Sequence, residues 1–167
     1  MQNALKVEHI TQELDKMGIL NVVSIPLVKK FSVADSDYTP AAEANTDIVL
    51  PAKCIVLDVF VDVTTADAAI TLDVGTDGSG SDDPDGFLDG VSLATAGIVK
   101  GALADGGVTK GALLREDVTG ATKYAPTPDV SSGGETVTYT ILTGADTAEF
   151  DIYVVYIDLT NVATPTS

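Results

Sequence analysis

The chain has 167 residues, enough for one domain with an appendage and for burial of about 70% of its unfolded surface without a disulfide or a metal. Its 25 Asp and Glu against 9 Lys and Arg leave a net charge of −16, which excludes a phosphate-tracking nucleic-acid binder and argues against an anionic membrane surface, since both need a basic stripe. With 45% hydrophobic residues this is not the acidity of a disordered tail, so apolar side chains must segregate inward and carboxylates onto loops and outer faces.

The first thirty or so residues differ chemically from the rest. Residues 1–33 hold four lysines against three carboxylates, net +1, whereas the other five cations face 22 carboxylates, net −17. Asn3 is placed to cap a short helix over residues 4–17 that Gly18 would end. Leu5, Ile10, Leu14 and Met17 recur near helical spacing on it, and an amphipathic helix this short needs something to pack against. Residues 1–18 are therefore read as an N-terminal arm, helical or extended, residues 19–160 as the body and 161–167 as a polar tail.

From residue 19 the period changes to two. Residues 19–33 read as a strand-like run in which Pro26 demands an edge or a bulge. A short strand over 46–50 closes at Pro51. Residues 53–63 alternate most clearly, with Ile55, Leu57, Val59, Val61 and Val63 on one face and Val56, Asp58, Phe60 and Asp62 on the other. A turn at 67–69 leads to a strand with Ile70, Leu72 and Val74 inward and Thr71 and Asp73 outward. Weaker strand signals follow near 97–102, 108–114 and 122–125. Val137, Tyr139 and Ile141 then alternate with threonines over 135–142, and 150–159 is apolar on both faces, as a central strand would be. Seven or eight strands separated by Gly, Asp and Pro turns predict an all-β fold: an antiparallel, jelly-roll-like sandwich.

The chemistry of the chain is sparse. Cys54 is the sole cysteine and His9 the sole histidine, which removes a disulfide framework, a cysteine zinc site and histidine-based nucleophilic catalysis within one chain. Cys54 is expected to be a buried, inert small hydrophobe, and His9 a packing or interface residue. Residues 77–86 crowd Asp77, Asp82, Asp83 and Asp85 into a glycine- and serine-rich turn, candidates for a calcium site that lacks the acidic twelfth position of an EF-hand. A solvated loop is the favoured reading, with no cofactor expected. Asp58 and Asp62 share a face but lie roughly 13 Å apart at the usual strand rise, too far for a glycosidase acid/base pair, so they and Asp73 read as outward positions of half-exposed strands. Residues 101–107 are glycine-rich and read as a turn or surface loop. No phosphate loop, nucleophile elbow, signal peptide or membrane-length apolar run is present, so synthesis in a cytoplasm is expected.

The run Asp47-Ile48-Val49-Leu50-Pro51-Ala52-Lys53-Cys54-Ile55-Val56-Leu57-Asp58-Val59-Phe60-Val61-Asp62-Val63-Thr64-Thr65-Ala66-Asp67 resembles small structural proteins of tailed-bacteriophage virions, in which an apolar Leu-Pro-Ala turn precedes a long strand. Ile70-Thr71-Leu72-Asp73-Val74-Gly75-Thr76 and the Asp-Pro-Asp segment from Asp82 to Ser92 are similar to the pieces that follow. The resemblance covers roughly residues 46–100 and, by pattern, the last two strands. It implies a non-enzymatic head decoration (cement) protein: a jelly-roll subunit, commonly a homotrimer, seated on the major capsid protein at the outer surface of the virion. On that reading the arm residues Leu5, Ile10, Leu14 and Met17 would anchor the subunit while Lys16, Lys29 and Lys30 steer it toward an acidic lattice. The rivals are a receptor- or glycan-binding module of a tail or fibre, disfavoured by the absence of Trp and the scarcity of aromatics, and a cell-wall hydrolase, for which neither nucleophile nor carboxylate pair is available.

Overall fold

The computed structural model describes residues 26–37, 39–52, 54–77, 83–101, 103–104, 107–108, 110–114, 134–143 and 147–160. Among the described residues the ten strands in chain order are β1 (Leu27–Val33), β2 (Glu43–Leu50), β3 (Cys54–Thr65), β4 (Thr71–Asp77), β5 (Asp83–Ser92), β6 (Gly97–Lys100), β7 (Leu103–Ala104), β8 (Gly107–Val108), β9 (Glu135–Thr143) and β10 (Glu149–Asp158). Two 3-10 turns, Asp35–Asp37 and Ala112–Leu114, complete the described elements.

Eight of these strands form two four-stranded antiparallel sheets, ordered β1-β10-β3-β6 and β2-β9-β4-β5, and β7 and β8 form a separate small hairpin. The pairings nest. The first of the eight strands pairs with the last (β1 with β10), the second with the seventh (β2 with β9), the third with the sixth (β3 with β6) and the fourth with the fifth (β4 with β5). A long hairpin wound in this way is a jelly roll, so the expected jelly-roll-like sandwich is present, and the structure supplies its strand order. The arm, with Leu5, His9, Ile10, Leu14, Lys16 and Met17, lies outside the described residues, as do the 122–125 strand signal and the tail.

Alternation in the sequence builds the core. Phe150, Ile152, Val154 and Tyr156 of β10 and Val59, Val61 and Val63 of β3 face Val137, Tyr139 and Ile141 of β9 and Leu72 and Val74 of β4, all of them buried. Tyr139 spans the layers: its ring meets Phe150 edge-on at 6.3 Å and Phe31 at 6.1 Å, and its hydroxyl donates to the Asp37 carbonyl at 3.2 Å. Pro26 immediately precedes β1, an edge strand, where a missing N–H is tolerated. The 67–69 turn forms as expected, with the Asp67 carboxylate accepting from the Ala69 N–H at 2.9 Å.

Four expectations need correction. The alternation of β3 does not run unbroken, because Val155 pairs with Asp58 and Tyr156 with Val56, leaving Leu57 as an extra residue in a β-bulge. Val59, Val61 and Val63 point inward as expected, but on the other side of the bulge Cys54 and Val56 are the buried residues while Ile55 is half-buried and Leu57 exposed. The segment from Asp83 is an edge strand rather than loop, with Pro84 in it. Its early part bulges across β4, where Thr76 pairs with Asp83 and Val74 with Leu88. Gly75 permits that crossing, since a Cβ there would sit 1.9 Å from the Asp83 carbonyl oxygen. The second strand starts earlier than predicted, at Glu43 rather than near 46. Finally, the glycine-rich stretch near 101–107 holds the β7–β8 hairpin.

Candidate functional site

The predicted residues that lie in the described part do not converge. Lys29 and Lys30 sit in β1, within the sandwich body, and both are exposed. Lys30 is engaged: its ammonium donates to Asp151 Oδ2 at 3.0 Å, and Ser32 Oγ donates to Asp151 Oδ1 at 2.6 Å. Those bonds, the Ser32 hydroxyl first, hold the Asp151 carboxyl below its ordinary range, and the bond to Asp151 raises Lys30. Asp77 ends β4 and Asp85 lies exposed in β5, with Asp83 half-buried at its start, while Asp82 falls outside the described residues. Among the described residues no three His, Cys, Asp or Glu side chains are grouped to hold a metal.

Cys54 is where the sequence puts it energetically. It is buried, and desolvation, then the charges of Asp158 and Glu135, push its thiol up to about 11. A thiol in that state is neither nucleophile nor ligand at neutral pH. Asp73 is outward on β4 as expected, half-buried, and accepts from the Gly90 N–H at 2.7 Å. Burial raises its carboxyl, and the charges of Asp89 and Asp85 add to the rise against that hydrogen bond.

What the structure does assemble is a surface. On the face of the β1-β10-β3-β6 sheet turned away from the core, strand register lines up three rows. Lys30, Tyr153, Phe60 and Lys100 form one row across all four strands. Ser32, Asp151, Asp62 and Ile98 form a second, and Val28, Val155 and Asp58 a third, next to the bulged Leu57. Phe60 and Tyr153 stack at 5.0 Å with planes 10° apart, and Lys100 Nζ lies 5.1 Å from the Phe60 ring centre while donating to Asp58 Oδ2 at 2.8 Å. Val28 and Ile98 are 59% and 57% exposed, and Leu57 is exposed as well.

The second sheet presents a different outer face. Asp47, Val49, Thr140, Leu142 and Asp73 lie on it, and none of its four strands contains a lysine or arginine. The two faces of the sandwich thus differ in charge and in aromatic content: one carries a stacked aromatic pair and two lysine–aspartate pairs, the other carboxylates without a lysine or arginine from its own strands, beside the exposed Val49 and Leu142.

The two-faced apolarity of residues 150–159 predicts a central strand. β10 is central, yet its outward Tyr153, Val155 and Ile157 are half-buried rather than covered by a further layer of described residues. The signal for this face was therefore in the sequence. Its partners Phe60 and Lys100 could be added only once cross-strand register was known.

No protein-family model matches the chain, and no curated protein matches it. Among solved structures, it is similar to a chain of the cyanophage Pam1 capsid asymmetric unit, with a TM-score of 0.47 and 22% identity over 79% of this chain and 84% of that one. It is also similar to a chain of the acidic stable capsid structure of Helicobacter pylori bacteriophage KHP30, with a TM-score of 0.46 and 14% identity over 82% of this chain and 90% of that one.

Proposed function

We propose that this chain is a non-enzymatic structural protein of a tailed-phage virion, a head decoration (cement) subunit that binds the outer surface of the major capsid protein and stabilises the shell as a homotrimer. The observation that carries this reading is the agreement between the phage-like sequence segment and the fold it implies. Residues 46–100, where the resemblance lies, supply the end of β2, the Pro51-Ala52 corner and strands β3, β4, β5 and β6, and the nested pairing around them is that of a jelly roll.

The chemistry is compatible. An acidic body facing solvent resists nonspecific association, and a near-neutral N-terminal segment carries the apolar residues Leu5, Ile10, Leu14 and Met17 that would grip a lattice. Binding the assembled shell but not its free subunits stabilises the shell by mass action. Three linked grips multiply modest contacts.

The test is co-sedimentation with purified shells of the phage that encodes the chain, prepared without the protein. Full-length protein is expected to pellet saturably with the shells, and protein lacking residues 1–18 to remain folded and in the supernatant. Equal pelleting of both forms overturns the arm as anchor; no pelleting of the full-length chain overturns the decoration reading.

A further inference from the structure

We infer that the outward face of the β1-β10-β3-β6 sheet is the surface through which copies of this chain meet one another. The inference deepens the oligomeric part of the proposed function and names the face on which it rests.

Charge selects both the face and its occupant. Each copy carries −16, so two copies repel at any approach closer than the screening length of about 8–10 Å. Contact is least opposed where the local charge is small and already paired. The outward face of this sheet has two lysines, Lys30 and Lys100, against three aspartates, Asp58, Asp62 and Asp151, and both lysines are bound to aspartates within the same chain. The outer face of the other sheet has carboxylates and no cation from its own strands. A basic partner would find the second face the better target. A second copy, itself acidic, meets least repulsion at the first.

The remaining features are those of a protein contact. The stacked Phe60–Tyr153 pair lies at the centre of the rows, flanked by the exposed Val28, Leu57 and Ile98 and ringed by the two ion pairs. Aromatic anchors with a polar rim are the usual anatomy of an interface centre. Strands of 7, 10, 12 and 4 residues, about 4.8 Å apart with a rise of about 3.4 Å per residue, give the face roughly 540 Å² in projection, of the order of the ~800 Å² that each partner contributes to a standard interface.

The experiment is sedimentation velocity on the full-length chain at micromolar concentrations, comparing wild type with Val28→Glu, Ile98→Glu and Val49→Glu. The first two place a charge at exposed positions of the proposed face; the third does so at an equally exposed position of the other sheet, and thermal melts check that all remain folded. Wild type is expected to be oligomeric, Val28→Glu and Ile98→Glu to weaken association about tenfold or more, and Val49→Glu to match wild type. A monomeric wild type overturns the inference, as does an unchanged oligomer in both face variants. Neither result touches the shell-binding test above, which fails or holds separately.

Discussion

Asp73 shows how one carboxylate can oppose the trend of its neighbours. Asp67, Asp151 and Asp158 are all held below the ordinary carboxylate range, Asp67 chiefly by the Ala69 N–H, Asp151 by the Ser32 hydroxyl and Asp158 by Thr160. Each contributes stability that is present at neutral pH and lost as pH falls through its folded-state value. Asp73 has the opposite sign. Burial raises its carboxyl, so its contribution is present in acid and is lost as pH rises through the folded-state value. Asn keeps the oxygen that accepts from Gly90 and removes the charge. Asp73→Asn is therefore expected to raise the melting temperature at pH 7 and to leave it unchanged below about pH 3, where the carboxyl is neutral whether folded or unfolded. A lower melting temperature at pH 7 would show that the charged hydrogen bond to Gly90 outweighs desolvation.

At the scale of the element, β3 and β5 mark the limit of what period-two reading can deliver. The inward residues of β4 and β9 are legible directly, because alternation runs through Leu72 and Val74 and through Val137, Tyr139 and Ile141, whereas 150–159 is apolar on both faces and its period does not single out the buried Phe150, Ile152, Val154 and Tyr156. In β3 a single extra residue, Leu57, shifts the phase. Every position on the N-terminal side of it then exchanges faces. Nothing in the local sequence announces the bulge, because Ile55, Val56 and Leu57 are all apolar and either phase satisfies them. The Asp-Pro-Asp-Gly opening of β5 carries turn chemistry and so predicts a loop; the segment is a strand because an edge position tolerates proline and because Gly75 lets its backbone cross β4. Of the candidate site, the strand-like run over 19–33 places Lys29 and Lys30 in a strand, where the structure has them, but the outward row through Tyr153 and Phe60 depends on pairing between residues more than ninety positions apart, which composition and period do not encode. The bulge makes a sharp prediction. Val56→Ser should destabilise the fold by about 2–4 kcal/mol through lost burial and an added hydroxyl, whereas Leu57→Ser should stay within about 0.5 kcal/mol. Denaturant unfolding of both variants decides it, and unbroken alternation would give the reverse order.

The molecule as a whole is a sandwich with unlike faces. Its core is ordinary: β-branched and aromatic residues of two sheets, with Tyr139 bridging the layers through Phe31 and Phe150. Its exterior is not symmetric, since one sheet shows a stacked aromatic pair between two ion pairs and the other shows threonines, carboxylates and the exposed Val49 and Leu142 with no lysine or arginine from its own strands. If copies meet through the first face, as inferred above, the acidic faces are left outward, toward solvent. The central claim, that the protein reinforces a capsid shell, is tested most directly by scanning calorimetry of shells lacking the protein as full-length chain is added. The shell transition is expected to move to higher temperature and to stop moving once the sites are filled. A shell transition that stays at the same temperature at every ratio, with the protein present and folded, would contradict the account.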